Sequence, residues 1–565
     1  MQLTSATLVI DSTSYPIDTR RATYTDLFFT TAQLTDVPGG KRLVIALHPK
    51  SPLTIEQFRV EWKVAADRPM LANGYQSRAA SRWYQPGEHQ RGLRWFARPF
   101  LQYTGDYHIP GVSYTRGQFH SWSHTAIRLE EGRMQFFGTL DESTAYTQWQ
   151  YTPTTASLRL LKDLKGLALS HSFPLLDVCF TEGPDLACWQ QYFDLMSISP
   201  TDAPSTTGWT SKHLPLSRLS KQSVLDHAAA FHKASLPLDH ILIHDGWQAH
   251  VGDWLDVSHR FASGMVDLAG RLRSQGHAPG VWVAPFVCSR HSNLYRDHRD
   301  WLLTDPSGKP LKVGYRRSWG GWFYALDFYH QGVQDYLSGV FYTLRQQWGF
   351  QLFELDYLCA AAILPRAHKT RAQVMHDTMQ FLRRQLGDAP MIANGVPTAS
   401  AYGVADYCRI STDVHTRWTN PFSRFAGHQE RASTLSSLRS ALSRFALDSR
   451  AFYNTLDVIV LQSDGTRLTP EQQYTLLVTN ALLGSLHLTS DNPGTYTPEQ
   501  LSEYRLLYHL RQAKVRAVRE LRPDVWQITY RLGESEQRAL INLTSRSQMV
   551  EDYPLAAYET MLTAL

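Results

Sequence analysis

The sequence contains little cysteine, and none of it has the spacing that binds a metal. Five cysteines occur among 565 residues, and no two of them form a CxxC pair. An odd number of widely spaced cysteines predicts neither a disulfide framework nor a zinc site. We expect them to be small core side chains, as free cysteine usually is. They are Cys179, Cys188, Cys288, Cys359 and Cys408.

A large excess of charge of one sign is also missing. The chain has 56 basic and 51 acidic residues, which gives a formal net charge of +5. The basic residues form isolated pairs, such as Arg20-Arg21 and Arg316-Arg317, rather than a patch. Because nucleic-acid binding depends on clustered Lys and Arg, we expect no nucleic-acid partner.

Long apolar runs are absent as well. No stretch of the sequence reaches the ~18 apolar residues of a membrane-spanning helix. Residues 1–5 have neither the basic segment nor the apolar segment of a signal peptide. We therefore expect a cytoplasmic protein with no membrane partner.

The sequence pattern changes twice along the chain, which is long enough for about two to four domains. Residues 1–195 show alternating strand patterns punctuated by turn residues, and they predict an N-terminal β-sandwich domain. Residues 199–208 are rich in Pro, Ser and Thr and are typical of a linker. Residues 205–510 alternate short apolar strands with helical stretches, which predicts a catalytic (β/α)8 TIM barrel. Residues 511–565 return to short strands and predict a small C-terminal β-domain.

Eight short apolar segments are candidates for the strands of the barrel. Strands that are buried on both faces appear as continuous apolar runs rather than as alternating ones. Helical stretches lie between several of them, for example at 333–348 and 372–386. The predicted strands are 241–243, 281–283, 323–326, 352–355, 391–393, 407–410, 458–461 and 485–488.

Two of these strands end in acidic residues that could cleave a glycosidic bond. Asp356 follows Phe353-Glu354-Leu355, and Asp413 follows the strand that contains Arg409, 57 residues later. A parallel barrel keeps its catalytic groups at the carboxyl ends of its strands. Two carboxylates are the minimum for this reaction, because one attacks and the other transfers a proton. The structural alternative is that both residues merely cap the helices that follow.

Other polar and aromatic side chains fall near the same predicted rim. Convergence of acidic, amide, basic and aromatic groups on one mouth of a barrel is difficult to explain by stability alone, so we interpret the rim as a catalytic site. Besides the two aspartates, the candidates are His244, Asp245, Trp247, Trp282, Glu354, Asn394 and Arg409.

An ordered series of motifs resembles glycoside hydrolase family 36, the α-galactosidase family of clan D. The resemblance includes Asp245-Gly246-Trp247, the segment 280–286, Leu355-Asp356-Tyr357-Leu358, and the segment 409–413 together with Trp418. The segments 454–457, 73–77 and 140–144 also resemble the family, so the similarity spans nearly the whole chain.

The resemblance implies a retaining double displacement and assigns a role to each residue. Asp356 would be the nucleophile and Asp413 the acid/base, with the two carboxyl groups ~5–5.5 Å apart. We expect the pKa of Asp413 to be raised by the negative charge on Asp356. Arg409 would hold the nucleophile or the 2-hydroxyl of the sugar. Asp245 would bind the outer hydroxyls, and the indoles of Trp282 and Trp247 would form an apolar wall.

Three positions depart from the pattern of the family. His244 stands where the family normally has Asp, Glu354 stands where it normally has Lys, and Asn394 stands where it normally has Cys. One hypothesis is that His244 pairs with Glu354, so that acid and base have exchanged strands. The alternative is that both positions changed independently in an enzyme that accepts a different sugar, because unmatched buried polar groups discriminate strongly.

The sequence therefore predicts a retaining exo-α-glycosidase, acting on terminal α-galactosides of the melibiose or raffinose type. An α-N-acetylgalactosaminidase, another α-glycoside specificity and a transglycosylase remain alternatives, and so does a barrel that binds sugar without cleaving it. No cofactor or metal is expected. The family often forms tetramers in which an N-terminal loop reaches a neighbour's active site, and residues 75–83 are either such a loop or an ordinary sandwich loop.

Overall fold

A computed structural model gives the fold of the chain in seven continuous stretches. The described residues are 1–101, 105–129, 132–165, 167–200, 203–262, 264–427 and 433–564.

The N-terminal part consists of two antiparallel sheets packed face to face. Along Gln57–Lys63 every second residue is buried, which is the alternation expected of a sheet with one face in a core. One sheet has the strands Phe119–Trp122, Thr147–Thr152, Ser157–Lys162, Gln57–Lys63, Gln2–Ile10 and Thr13–Pro16, in that order. The other has Thr23–Tyr24, Phe28–Val37, Gly40–Pro49, Phe173–Pro184, Arg133–Thr139, His124–Arg128, Met70–Ala72 and Arg82–Tyr84.

Aromatic and aliphatic side chains from both sheets fill the space between them. Trp62 is fully buried and meets Phe137 and Phe180 edge-on, at ring-centroid distances of 5.8 Å in both cases. Such edge-to-face pairs add to the free energy gained by burying the rings themselves. The predicted β-sandwich is confirmed, and the helix Asp185–Met196 leads from it toward the barrel.

The central part is a closed parallel barrel of eight strands, in which seven of the eight neighbouring pairs form parallel ladders. We number them barrel strands 1 to 8 in chain order. They are Thr206–Thr210, His240–Ile243, Ala278–Val283, Leu352–Leu355, Met391–Ala393, Tyr407–Arg409, Tyr453–Thr455 and Leu486–Thr489.

The barrel closes between strands 7 and 8. The backbone N–H of Ser485 donates to the carbonyl of Asn454 at 2.8 Å, and a two-residue strand, Val458–Ile459, pairs with strand 8 beyond that point. The eight strands are almost entirely buried, as expected for a barrel whose outer face is covered by helices. The predicted TIM barrel is confirmed.

The helices around the barrel begin at well-defined caps. Four of them begin with a capping box, in which the side chain of the cap residue accepts the backbone N–H of the third helical residue, and the side chain of that third residue accepts the backbone N–H of the cap. The four cap residues are Ser220, Thr370, Thr469 and Thr497. The longer barrel helices are Lys221–Lys233, Met265–Ser274, Gln331–Tyr342, Arg371–Leu386, Thr434–Arg444, Pro470–Leu483 and Pro498–Leu510.

The predicted strand set is wrong at four places, because two predicted segments are not among the eight barrel strands and two barrel strands were not predicted. The segment 458–461 contains only the two-residue strand Val458–Ile459, which pairs with strand 8 beside the eight. The segment 323–326 is not a barrel strand, because Gly321–Ala325 lies in a three-stranded antiparallel sheet with Val287–Ser289 and Lys312–Arg316. A short apolar run has the same composition in either kind of sheet, so the pattern could not separate them. The segment 453–455, by contrast, is a barrel strand that the prediction omitted.

The predicted linker also contains barrel strand 1, Thr206–Thr210. Its threonines resemble linker residues, but the hydroxyls of Thr206 and Thr207 are hydrogen-bonded inside the fold. The carboxylate of Asp239 accepts hydrogen bonds from Thr206 Oγ1, Thr207 Oγ1 and the Thr207 backbone N–H at 2.8 to 3.0 Å. Because these hydroxyls are hydrogen-bonded, burying them costs little free energy, and β-branched residues favour a strand. The domain boundaries near 195, 205 and 510 stay a prediction.

The C-terminal part is a small antiparallel β-domain, as predicted. Its main sheet contains Lys514–Arg522, Val525–Leu532, Ser535–Asn542 and Thr560–Ala564, beside a hairpin of Gln548–Val550 and Tyr553–Leu555. All five cysteines of the chain are buried, which confirms their predicted place in the core. Among the described residues, no helix is long and apolar enough to cross a membrane.

Candidate active site

Asp356 lies at the carboxyl end of barrel strand 4 and is 4% exposed. Its backbone N–H bonds to the carbonyl of Val283 on strand 3, so the residue still follows the sheet. The next residue, Tyr357, has a positive φ of 56°, and its backbone N–H donates to Asp356 Oδ1 at 2.7 Å. Trp282 Nε1 donates to Oδ2 at 3.3 Å. The carboxylate is therefore held by neutral N–H donors on two sides.

Asp413 follows barrel strand 6 and has a very different environment. Lys212 Nζ and Arg409 Nη2 both donate to its Oδ1 at 2.6 Å. Arg78 Nη2 bonds to its Oδ2. Three cations from three separate segments of the chain thus converge on one carboxylate, of which 20% of the side chain is exposed.

Arg78 connects the two carboxylates. While its Nη2 bonds to Asp413, its Nη1 lies 3.5 Å from Asp356 Oδ1. Both nitrogens belong to one planar guanidinium, so the two acids that were predicted from separate strands face the same small space. The structure thus brings together the two residues assigned as nucleophile and acid/base.

The predicted direction of the pKa shift of Asp413 is reversed in this arrangement. Burial by itself would raise the pKa of the carboxyl group, but the charges of Arg78, Lys212 and Arg409 outweigh it and hold the pKa well below its usual range. The expectation considered only the negative charge of Asp356. It omitted two cations that approach from distant parts of the sequence.

Glu354 is buried deeper in the barrel than Asp356, on the same strand. Its Oε1 accepts a hydrogen bond from Asn394 Nδ2 at 3.3 Å and lies 3.8 Å from Arg409 Nη1. Burial raises the pKa of this carboxyl to about 7, against the opposing charges of Arg409 and Lys212. Asn394 Oδ1 is buried and has no hydrogen-bond partner among the described residues. The base of the site is therefore rich in acceptors.

His244 lies next to Glu354, but the contact is long. His244 Nε2 and Glu354 Oε2 are 3.8 Å apart, beyond hydrogen-bond distance. Burial, followed by the charges of Lys212 and Arg316, lowers the pKa of His244 well below its usual value, so the imidazole is neutral near pH 7. The two residues are neighbours, as the exchange hypothesis requires, but their geometry gives no strong ion pair.

Asp457 completes the charge network behind Asp413. It is 1% exposed, and its Oδ1 accepts a hydrogen bond from Lys212 Nζ at 2.7 Å and forms an ion pair with Arg409 Nη2 at 2.8 Å. Its Oδ2 accepts the backbone N–H of Val414 at 2.8 Å. Asp457 therefore holds both cations and also fixes the loop that carries Asp413.

Asp245 faces a cluster of aromatic side chains on the other side of the rim. Trp319 Nε1 donates to Asp245 Oδ2 at 2.7 Å, and Gln248 Nε2 donates to Oδ1 at 2.8 Å. The Trp319 ring lies 5.2 Å from the ring of Tyr357, whose hydroxyl oxygen is 2.8 Å from Arg316 Nη1. The three-stranded antiparallel sheet that follows barrel strand 3 thus supplies part of the wall of the site.

The three predicted tryptophans occupy different positions. Trp282 is fully buried but touches Asp356 through its indole N–H. Trp247 is fully buried, and its Nε1 donates to the carbonyl of Trp282 at 2.9 Å, which places it behind that residue. Trp418 packs edge-on against Tyr558 of the C-terminal β-domain, at 5.1 Å between ring centroids. Of the three, Trp282 is the one whose polar contact with a predicted catalytic carboxylate is seen.

The sequence reasoning missed several residues of the site. Those that touch the predicted residues directly are Arg78, Lys212, Asp457 and Trp319. Asp457 alone lay in a quoted motif, the segment 454–457, and Lys212 directly follows the strand that was taken for a linker. Arg78 lies in the predicted N-terminal loop, and that loop reaches this chain's own site.

The described residues show no cluster of side chains that could hold a metal ion. Among the described stretches, no group of three or more His, Cys, Asp or Glu side chains is arranged to hold one. Asp253, which could be imagined as a ligand, instead caps a helix, because its two oxygens accept the N–H groups of Asn293 and Leu294.

Comparison with known protein families gives one match within the barrel. Residues 221–377 match the family model described as Melibiase. This stretch includes the strands that lead to Asp245 and Asp356 but ends before Asp413.

Two curated relatives match over short stretches. An α-galactosidase of Escherichia coli is 27% identical over 157 residues, 26% of this chain and 21% of that protein. The α-galactosidase AgaA of Geobacillus stearothermophilus is 32% identical over 111 residues, 18% of this chain and 14% of that protein. The matched stretches thus span about a fifth or less of the length of these relatives.

Solved structures match over nearly the whole chain. The α-galactosidase of Thermus thermophilus, in complex with p-nitrophenyl α-D-galactopyranoside, has a TM-score of 0.72 at 24% identity, covering 94% of this chain and 98% of that one. AgaA, described as a family 36 enzyme in its solved structures, has a TM-score of 0.61 at 12% identity, covering 98% of this chain and 80% of that one. The predicted resemblance to glycoside hydrolase family 36 is confirmed.

Proposed function

We propose that this chain, which is similar to the family 36 α-galactosidases in sequence motifs and in fold, is a retaining exo-α-glycosidase acting on terminal α-galactosides. The observation that carries the proposal is the pair Asp356 and Asp413. They lie at the carboxyl ends of barrel strands 4 and 6, and a single guanidinium contacts both. Two carboxylates facing one space are what a double displacement needs.

In the first step, Asp356 attacks the anomeric carbon and the bond to the leaving oxygen breaks. Asp413 gives that oxygen a proton, so the alcohol departs and a glycosyl ester of Asp356 remains. In the second step, Asp413 takes a proton from water, whose oxygen attacks the same carbon and releases Asp356. The donors Tyr357 N–H and Trp282 Nε1 fix the attacking carboxylate in position.

The base of the site would bind the glycone. Glu354, Asn394 and His244 lie there with few internal hydrogen bonds, and Asp245 borders it. Sugar hydroxyls can donate to these acceptors, so the acceptor-rich base is compatible with a galactose ring. An α-N-acetylgalactosaminide and another α-glycoside remain alternative substrates. The reason is that His244, Glu354 and Asn394, which would contact the sugar ring, differ from the residues that the family normally has there. Transglycosylation would use the same two carboxylates.

The named relatives support the choice of glycone. The two curated relatives described above are α-galactosidases, and the Thermus enzyme was solved with an α-galactopyranoside. A galactosaminidase of Flavonifractor plautii also matches, at 27% identity over 126 residues, which keeps the N-acetylgalactosaminide in the panel below. Because the curated matches cover small parts of those proteins, the substrate rests on the site and on the following experiment. An oligosaccharide with a terminal α-galactosyl unit is the expected substrate.

The first experiment measures hydrolysis of nitrophenyl glycosides by the wild type and by Asp356→Ala. The panel contains the α-galactoside, the α-N-acetylgalactosaminide, the α-glucoside and the β-L-arabinopyranoside. We expect turnover of the α-galactoside that the substitution abolishes. Asp253→Asn serves as the control, because Asp253 is a barrel aspartate that caps a helix outside the carboxylate pair. Activity on a different member of the panel would reassign the glycone.

The mechanism is tested by the product and by labelling. A retaining enzyme releases α-galactose first, which proton NMR distinguishes from the β-anomer. Azide added to Asp356→Ala should restore turnover and give β-galactosyl azide, because the anion attacks from the face that the carboxylate vacated. A mechanism-based galactosyl epoxide should label Asp356 in the wild type. Binding of sugar without labelling or turnover would instead indicate a sugar-binding barrel.

A further inference from the structure

Arg78 reaches the site from the β-sandwich, and its side chain is 10% exposed. Its partners lie 278 and 335 residues further along the chain, on two different barrel strands. The guanidinium makes its closer contact with Asp413 and a longer one, 3.5 Å, with Asp356. It therefore lies between the two groups that must contact the reacting carbon and the leaving oxygen.

The backbone that carries Arg78 is fixed. The buried guanidinium of Arg444 donates to Asn73 Oδ1 at 2.8 Å and to the carbonyls of Gly74, Gln76 and Ser77 at 2.6 to 3.3 Å. The Ser77 N–H also bonds to the carbonyl of Val396 on the barrel at 2.7 Å. The loop cannot withdraw as a whole without breaking these bonds, so a change of rotamer is the smallest movement that takes the Arg78 side chain away from the carboxylates.

We propose that the Arg78 side chain occupies the position between Asp356 and Asp413 that the scissile bond must take, and that a substrate displaces it. The proposal rests on the proposed function, because it requires these two carboxylates to flank the bond. The substrate and Arg78 then compete for the same space. Arg78 is in this sense a gating residue, which acts by leaving the carboxylates rather than by contacting the sugar.

The charges around Asp413 show why displacement matters for proton transfer. Asp413 has to carry a proton in the first step, yet Arg78, Lys212 and Arg409 all bond to it. Lys212 and Arg409 also bond to Asp457, which shares their charge. The other acids facing this network are Asp356 and Glu354, and the neighbouring histidines are His244 and His213, whose pKa values burial lowers. Arg78 is thus the cation whose departure leaves the rest of the network intact.

The test compares Arg78→Gln with Arg82→Gln. Arg82 lies four residues further along the same part of the sandwich, and it pairs with Glu88 instead of Asp356 and Asp413. The substitution Arg82→Gln therefore removes the same charge but leaves the space between the two aspartates unchanged. The measurements are the inhibition constant of D-galactose, KM and kcat for the nitrophenyl α-galactoside, and the pH profile of kcat/KM. Arg78→Lys is a third variant, because it keeps the positive charge but replaces the planar fork of the guanidinium with a single ammonium on a shorter side chain.

We expect Arg78→Gln to bind D-galactose about five-fold more tightly or better, the effect of removing a competing ion pair. KM should fall, and the basic limb of the pH profile should move to higher pH, because that limb reports the acid. Arg78→Lys should lie between the wild type and Arg78→Gln. Arg82→Gln should leave all three measurements within about two-fold of the wild type.

A weaker binding of D-galactose and a higher KM in Arg78→Gln would overturn the proposal, because they would make Arg78 a contact for the substrate. Unchanged values would overturn it equally. Thermal unfolding of each variant shows whether the fold is retained, and Arg78→Lys provides the comparison if Arg78→Gln is unstable. If the wild type neither hydrolyses nor becomes labelled by any glycoside, the proposed function fails instead, whatever the Arg78 variants do.

Discussion

The two carboxylates of the site are held in opposite ways. Asp356 is bound by a backbone N–H and an indole N–H, with one cation at 3.5 Å. Asp413 is bound by three cations that belong to three segments of the chain. Dipolar donors position a carboxylate without neutralising it, whereas cations also fix its protonation state. The first arrangement suits a nucleophile throughout the reaction, and the second suits an acid/base only after a cation leaves.

The largest expected effect separates the two carboxylates by their dependence on the leaving group. Asp356→Ala should lose about 10⁴-fold or more in kcat on every α-galactoside, because no attacking group remains. Asp413→Ala should lose about 10²- to 10⁴-fold on oligosaccharides, the usual contribution of a general acid. It should lose much less with nitrophenyl leaving groups, which depart without a proton. Equal losses of both variants on both substrates would contradict the assigned roles.

The second prediction concerns the residue that fixes the Arg78 loop. Arg444→Met leaves the buried carbonyls of Gly74, Gln76 and Ser77 without their donor. We expect the free energy of unfolding to fall by about 2–4 kcal/mol, the cost of several unsatisfied buried acceptors. Urea denaturation measures it, and Arg439→Met is the control. Arg439 lies on the same helix and pairs with Asp524 at a partly exposed position, so its loss should cost about 1 kcal/mol or less.

Much of the barrel and both strand-end aspartates could be predicted because their signals are local. Apolar runs that end in Asp356 and Asp413 reflect strands buried on both faces, and this needs only a few neighbouring residues. The strand Thr206–Thr210 was missed because its buried hydroxyls depend on Asp239, which is some 30 residues away. The segment 323–326 was misplaced because its apolar character does not report which strand it pairs with.

The electrostatics of the site could not be predicted in the same way. Lys212 and Arg78 lie 201 and 335 residues from Asp413 in sequence, and nothing near either cation indicates its partner. Motif resemblance identified the acids but gave the wrong direction for the pKa of Asp413, because that direction depends on which cations the fold brings to it. The sequence indicated which acids lie at the rim of the barrel, whereas the cations that surround them, and so the direction of the pKa shift, required the tertiary structure.

The third prediction uses the buried acid beneath the nucleophile. Burial raises the pKa of Glu354 to about 7, above its ordinary value of 4.5, so the folded state binds more protons than the unfolded state between these values. Stability should therefore fall as pH rises through this window, by at most about 3 kcal/mol. Glu354→Gln should remove this part of the pH dependence. Urea denaturation at pH 5 and pH 8 checks it, and an unchanged slope in the variant would show that Glu354 does not titrate there.

The smallest expected effect concerns the pair His244 and Glu354, in a double-mutant cycle with His244→Asn and Glu354→Gln. At 3.8 Å, with a neutral imidazole, the two side chains share neither a hydrogen bond nor two full charges. We expect a coupling free energy below about 0.5 kcal/mol for unfolding, within the range of independent sites. A coupling of 1 kcal/mol or more would restore the hypothesis that acid and base exchanged strands. Additivity would mean that His244 and Glu354 contact the sugar independently of each other. The contrast between Asp356 and Asp413 would then not depend on a pair formed by His244 and Glu354.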